Sequence, residues 1–297
     1  MRTAFIKQLM AEAENDERIF LLVGDLGFSV VEPFANKFPD RFLNVGVAEQ
    51  NMIGIASGLA MEGYTVFVYS IGNFPTLRAM EQIRYDVCYH ETNVKIVAVG
   101  GGYAYGALGP SHHATEEIGM LRAIPNLRIC VPGDPSEAQR ITTLIAAERS
   151  PCYLRLGKAG EAVIHTKPCD FDFGKIVQVS EGDETAVLCS GSILKYAYDF
   201  LKEAKRNWGL YSVPFIKPFD TEALSVLAER YSRLITLEEH QMNGGLGSAV
   251  LENLNDLAQA GRLHRWPSVK RLAIPDRFIS TAGSQQTLRS LAGLTLD

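Results

Sequence analysis

The chain has 297 residues, with 46% apolar and 21% charged residues and a formal net charge of -5. Its length suggests two domains, and its composition is that of a globular chain able to bury a full core. With 29 Lys+Arg against 34 Asp+Glu, no basic excess exists to neutralise phosphates, which excludes a generic nucleic-acid binder.

No apolar run approaches the ~20 residues a membrane span needs. Met1-Arg2-Thr3-Ala4-Phe5-Ile6-Lys7-Gln8 carries no apolar core of a signal peptide. The cysteines Cys88, Cys130, Cys152, Cys169 and Cys189 form no CxxC pair. They read as reduced, buried thiols, and the expected location is cytoplasmic. Their spacing, and that of the histidines, suggests no zinc site.

Short β-rich runs alternate with segments of helical period, the pattern of an α/β fold with mostly parallel sheets. Strands are expected at 19–23, 65–69, 94–99, 127–131 and 152–156, with helices at 3–14, 49–61, 75–90, 115–123 and 135–147. Pro135 opens the last helix. The stretch 157–185 is polar and turn-rich and reads as the junction between domains at 1–165 and 180–297. A second βα series follows: a strand at 186–189, a helix after Ser192, and strands at 210–216, 234–237 and 269–274.

The most informative segment is Asn44-Val45-Gly46-Val47-Ala48-Glu49-Gln50-Asn51-Met52-Ile53-Gly54, continuing through Ile55-Ala56-Ser57-Gly58-Leu59-Ala60. Glu49 opens a helix whose next turns are small or apolar, so few charges surround it. The pattern fits a catalytic carboxylate, or an acidic residue favoured by the helix dipole. The motif resembles the catalytic-glutamate motif of thiamine-diphosphate enzymes of the transketolase type. That resemblance makes Glu49 the partner of the cofactor's aminopyrimidine N1′.

Three further blocks carry the resemblance. Ser70-Ile71-Gly72-Asn73-Phe74-Pro75-Thr76-Leu77-Arg78 falls where the family packs aromatic side chains around the pyrimidine ring. Phe74 is then the stacking candidate, with Ile71 and Leu77 making the pocket more aliphatic than usual. Phe74 also reads as a core aromatic. Arg78 reads as a substrate-phosphate contact or as a partner of Glu81 or Gln82. The loop Gly100 to Glu117 holds Gly109-Pro110-Ser111-His112, matching a family motif whose histidine bonds substrate oxygens and assists proton transfer. Outside the resemblance, His112 and His113 read as helix-capping surface residues. Gly100 and Leu108 depart from the family's usual histidine and acidic residue, which puts the usual pentose-phosphate substrates in doubt. Finally, Arg2 and Ser29 align with substrate-phosphate contacts, Asp25 with an Asp near the cofactor, and Lys158 with another phosphate contact.

The family clamps its diphosphate through Mg²⁺ on a Gly-Asp-Gly motif followed by Asn. Here the Gly-Asp pairs are Gly24-Asp25-Leu26, Gly133-Asp134-Pro135 and Gly182-Asp183-Glu184, so no metal ligand is assigned to this chain. The resemblance therefore implies the pyrimidine-binding and carboxyl-terminal half of a split transketolase. It would share thiamine diphosphate and Mg²⁺ with an amino-terminal partner subunit, self-associate, and act on a small sugar, with no nucleic acid or membrane as partner. A beta subunit of a 2-oxo acid dehydrogenase and a non-catalytic assembly subunit are the alternatives.

Overall fold

The computed structural model describes residues 1–296. In chain order the first part contains α1 (Arg2–Asn15), β1 (Ile19–Val23), α2 (Glu32–Lys37), β2 (Phe42–Asn44), α3 (Glu49–Met61), β3 (Thr65–Ile71), α4 (Met80–Gln82), β4 (Val94–Val99), α5 (Glu117–Arg122), β5 (Arg128–Cys130), α6 (Pro135–Ala147) and β6 (Cys152–Leu156). The second part contains β7 (Val177–Ser180), β8 (Thr185–Ser190), α7 (Leu194–Glu203), β9 (Gly209–Ser212), β10 (Phe215–Lys217), α8 (Thr221–Arg230), β11 (Arg233–Gln241), α9 (Leu246–Gln259), β12 (Ser268–Ile274) and α10 (Gln285–Leu291).

Two mostly parallel sheets result, in the orders β10-β5-β6-β4-β3-β1-β2 and β12-β11-β8-β9-β7. β4 and β6 are buried at every position, because helices cover both faces of a parallel sheet. Two apolar clusters occupy the two faces of the first sheet; one of them continues under α8 and α9, and a third lies on the other face of the second sheet. Asp134 caps α6 by accepting from the Glu137 N–H at 2.9 Å, with Pro135 in the first turn.

Three expectations need correction. The strand at 210–216 is two strands in different sheets. β9 pairs with β8, whereas β10 pairs antiparallel with β5 of the first sheet. Pro214 separates them and lacks the N–H a continuous strand would need, so one short run ties the two sheets together. The helix at 75–90 is shorter: the chain turns through residues 72–79, and α4 then widens into a π-helical stretch, Ile83–Tyr89. The helix at 115–123 begins at Glu117, after Thr115 accepts a backbone bond from Gln241. The short elements α2, β2, β7 and α10 add to those the sequence pattern predicts.

All five cysteines are free thiols, four of them buried. Among the described residues, no helix is long and apolar enough to cross a membrane.

Candidate functional site

In the first sheet, the chain leaves β1 toward β2 and leaves β3 toward β4, on the opposite side. Between β1 and β3 lies the switch point where open α/β sheets form a ligand crevice at the carboxyl ends of their strands. Gly24 follows β1 and donates its N–H to Tyr69 O of β3 at 3.3 Å. A side chain at Gly24 would lie 3.5 Å from Ser70 Oγ and 3.7 Å from Glu49 Oε1. The Glu49 carboxylate therefore lies directly over this crevice.

Glu49 is the first residue of α3 and only 1% exposed. Its Oε2 accepts a 2.7 Å hydrogen bond from Arg78 Nη1, whereas Oε1 is buried without a partner. An unpaired buried carboxylate oxygen costs several kcal/mol of lost hydration, so it marks a place for a donor. Ser70 Oγ is likewise buried and unpartnered.

Arg78 pairs with neither Glu81 nor Gln82; the turn through residues 72–79 carries it back to Glu49. Its guanidinium carbon lies 5.2 Å from the Phe74 ring centre, a cation–π distance. Phe74 in turn meets His112 edge-on, with ring centres 5.4 Å apart. Glu49, Arg78, Phe74 and His112 thus form one continuous series of contacts. Asn73 Nδ2 donates to the His113 carbonyl, tying the histidine loop to the turn. Gly72 permits this approach, since a Cβ there would lie 2.6 Å from Ala114 Cβ.

His112 closes a 3₁₀ turn, Pro110–His112, with Ser111 Oγ 3.0 Å from its Nδ1. His113 points elsewhere: it is 5% exposed and meets Tyr103 edge-on at 5.1 Å. Burial pushes its pKa below the usual histidine value. It therefore packs in the interior and is not the surface cap that its sequence position suggests.

The remaining candidates are more scattered. Ile71 packs partly buried against the first-sheet core. Leu77 lines a cavity of about 400 Å³ between the two halves, with Tyr103, His113 and Phe278. Asp25 adjoins Gly24 in a left-handed conformation (φ 53°), and its Oδ1 accepts from Asn44 Nδ2 at 3.0 Å. Ser29 is also left-handed (φ 64°), its N–H held by Glu32 Oε1 at 2.8 Å. Arg2 lies near the buried Tyr69, whose phenol burial pushes upward. Lys158 is exposed on the loop after β6, and its carbonyl accepts from the Met1 amine at 3.1 Å. Ser29 and Lys158 are thus held through backbone atoms, whereas Arg2 Nε is buried without a hydrogen-bond partner; all three lie outside the contacts that run from Glu49 to His112.

Two features lie beyond sequence reasoning. Gly100 has φ 86°, and a Cβ there would stand 2.2 Å from the Tyr105 ring. Tyr105 therefore fills the space that a side chain at Gly100 would take. Behind the histidine loop, Arg155 is 4% exposed. Its Nε lies 2.6 Å from Glu117 Oε1, and its Nη2 donates to the Ala114 and Glu239 carbonyls. This buried pair locks the loop to β6 and β11.

Residues 1–160 match the family described as transketolase, pyrimidine binding domain, and residues 174–297 match transketolase, C-terminal domain. The chain is 35% identical to a subunit of the apulose-4-phosphate transketolase of Phocaeicola vulgatus, over 86% of this chain and 83% of that protein. It is 34% identical to the 1-deoxy-D-xylulose-5-phosphate synthase of Oleidesulfovibrio alaskensis, over 98% of this chain but 46% of that longer protein. A solved structure of a split gene transketolase, described as an inactive beta4 tetramer, superposes with a TM-score of 0.85 at 32% identity, covering 99% of this chain and 93% of that one.

Proposed function

The chain belongs to the transketolase family, and from that membership we propose that it is the carboxyl-terminal subunit of a two-chain, thiamine-diphosphate-dependent transketolase. It transfers a two-carbon ketol unit between phosphorylated ketose and aldose substrates. Two kinds of likeness support the two-chain reading: a relative that is itself one subunit of a transketolase, matched over most of both lengths, and the split-gene structure.

The observation that carries the proposal is the buried, unpartnered Oε1 of Glu49 over the switch-point crevice. It fits the aminopyrimidine end of thiamine diphosphate, whose N1′ presents a shared proton to a carboxylate. Arg78 fixes the other oxygen, so the carboxylate has one orientation. Phe74 offers a ring beside it, and Ile71, next to Ser70 at the end of β3, supplies apolar surface, whereas Leu77 lines the separate cavity with Tyr103 and Phe278. When bound, the cofactor supplies the carbanion chemistry that carries the ketol unit. Glu49 holds the proton at N1′ in a dry pocket, where such a bond is strong. His112 exchanges a proton with the substrate oxygen at the outer side of Phe74. Asp25, next to Gly24 at the crevice, is the candidate near the cofactor, while Lys158, Arg2 and Ser29 remain the candidates for the substrate phosphate.

The residues here do not fit the diphosphate end. Mg²⁺ requires an all-oxygen shell. Among the described residues the only metal-ligand cluster, Asp134, His165 and Cys169, contains a thiol and an imidazole. The Mg²⁺ ligands are therefore assigned to the amino-terminal subunit.

Reconstitution tests this reading. The chain with a Gly-Asp-Gly-bearing partner should bind thiamine diphosphate and Mg²⁺ and transfer a ketol unit; alone it should do neither. Transfer by the isolated chain, or 2-oxo acid oxidation in place of ketol transfer, overturns it.

A further inference from the structure

The segment joining the two halves carries His165 and Cys169, and α6 begins beside it with the buried Asp134 at its cap. One ligand atom from each of these three residues lies within 4.8 Å of the others. We propose that Asp134, His165 and Cys169 form a structural zinc site that pins the interdomain segment to the first domain.

The first support is distance. Tetrahedral zinc with bonds of about 2.0–2.3 Å places its ligand atoms roughly 3.3–3.8 Å apart. The cluster needs to close by up to about 1.5 Å, and Cys169 sits on irregular chain outside any helix or strand.

The second support is the way His165 is held. Its Nε2 lies 2.8 Å from Glu137 Oε1, and Glu137 is fully buried. Glu137 is itself fixed, because its Oε2 accepts from the Gly133 N–H at 2.6 Å and from Ser212 Oγ at 3.0 Å. A carboxylate on one imidazole nitrogen sets the tautomer, leaving the other nitrogen's lone pair for a metal, the usual outer arrangement of a zinc-bound histidine. Ser212 belongs to β9, so the same carboxylate connects the cluster to the second sheet.

The third support is the lone-pair count at Asp134, which is 0% exposed. Its Oδ1 accepts from the Glu137 N–H at 2.9 Å, and its Oδ2 accepts from the Ile164 and His165 N–H groups at 2.8 and 3.1 Å. An ionised carboxylate offers about four acceptor positions; three are filled and one remains.

Thiolate, imidazole and carboxylate together suit zinc rather than magnesium or calcium. A cavity of about 370 Å³ lined by His165, Lys167, Cys169 and Tyr198 reaches the cluster and has room for a water as fourth ligand. Binding replaces the Cys169 S–H bond with a sulfur–zinc bond and releases one proton to solvent. The sequence separation from Asp134 to His165 hides this site, because no zinc motif has that spacing.

The test uses the full chain and needs no catalytic assay, so its outcome is independent of the transketolase reading. Dialysed protein should retain about one zinc per chain by elemental analysis. Cobalt titration should give the visible bands of a tetrahedral centre and a near-ultraviolet thiolate charge-transfer band. Cys169→Ser, nearly isosteric, should fold normally, lose the charge-transfer band and bind zinc at least tenfold more weakly. Zinc should raise the melting temperature of the wild type and not that of Cys169→Ser or His165→Gln. Wild type without the cobalt bands, or Cys169→Ser binding zinc as tightly as wild type, overturns the proposal.

Discussion

Arg78 Nη1 lies 2.7 Å from Glu49 Oε2, joining a half-exposed cation to a buried carboxylate 29 residues earlier in the chain. This pair fixes which oxygen of Glu49 is free. The guanidinium also lies over Phe74, so one side chain contacts both groups.

Removing Arg78 should therefore act through Glu49. Arg78→Ala leaves Oε2 buried without its donor, and breaking a charged pair on one side costs more than the pair itself contributes. Turnover of the reconstituted enzyme should fall about 10- to 100-fold, with Arg78→Lys recovering part of it as a single donor. Steady-state kinetics of both variants check this; equal rates for Arg78→Ala and wild type would remove its positioning role.

Glu49→Gln keeps the shape and removes the shared proton. The fold should be unchanged by circular dichroism, while turnover falls by at least ~10², the scale of an acid–base contribution. Hydrogen–deuterium exchange at the cofactor's C2, followed by NMR in the two-chain complex, should slow in parallel. Exchange at the wild-type rate would reject the role assigned to Glu49.

The Gly100 position should resist restoration of the family's usual histidine. Gly100→His meets the Tyr105 ring and a positive φ together, a combined strain of about 1–3 kcal/mol or more. Its melting temperature should drop by several degrees, and the double variant with Tyr105→Ala should regain part of that loss. Full stability in the single variant would mean that Tyr105 moves aside without cost.

His113 gives a pH signature. Its folded-state pKa is lowered by burial, so the unfolded chain takes up a proton first as pH falls. This contribution is complete above the ordinary histidine pKa near 6.5 and is lost progressively below it. Denaturant unfolding from pH 7.5 to 5 should show stability falling, and His113→Gln should flatten that slope. An unchanged slope would assign the pH dependence to other groups.

Self-association tests the α3 surface. Gly54 and Gly58 face open space, with nothing within 4 Å of where a Cβ would stand, and Met61 on the same helix is 58% exposed. We expect this face to meet a second copy, so the isolated chain should sediment as a dimer or larger. Gly54→Leu with Gly58→Leu should shift it toward monomer in analytical ultracentrifugation.

The Glu49 and His112 motifs are legible in the sequence because each is a local run: a carboxylate opening a helix of small residues, and a glycine-bounded loop between strand and helix. The strands β1, β3, β4 and β6 are equally legible, since strands buried on both faces read as near-continuous apolar runs, broken only by single polar residues such as Lys95 and Arg155. The splitting of 210–216 is not, because β9 and β10 are both apolar and differ only in which sheet receives them. Arg78's partner is likewise hidden: helical spacing points to Glu81 and Gln82, and only the turn through residues 72–79 brings it to Glu49. The same holds for Tyr105 over Gly100 and for Asp134 beside His165 and Cys169. Sequence determined where each candidate side chain falls on its helix, strand or loop, since residue type and local period are local properties. Tertiary structure decided which of them meet, because distances between side chains far apart in the chain depend on where the sheets place their loops.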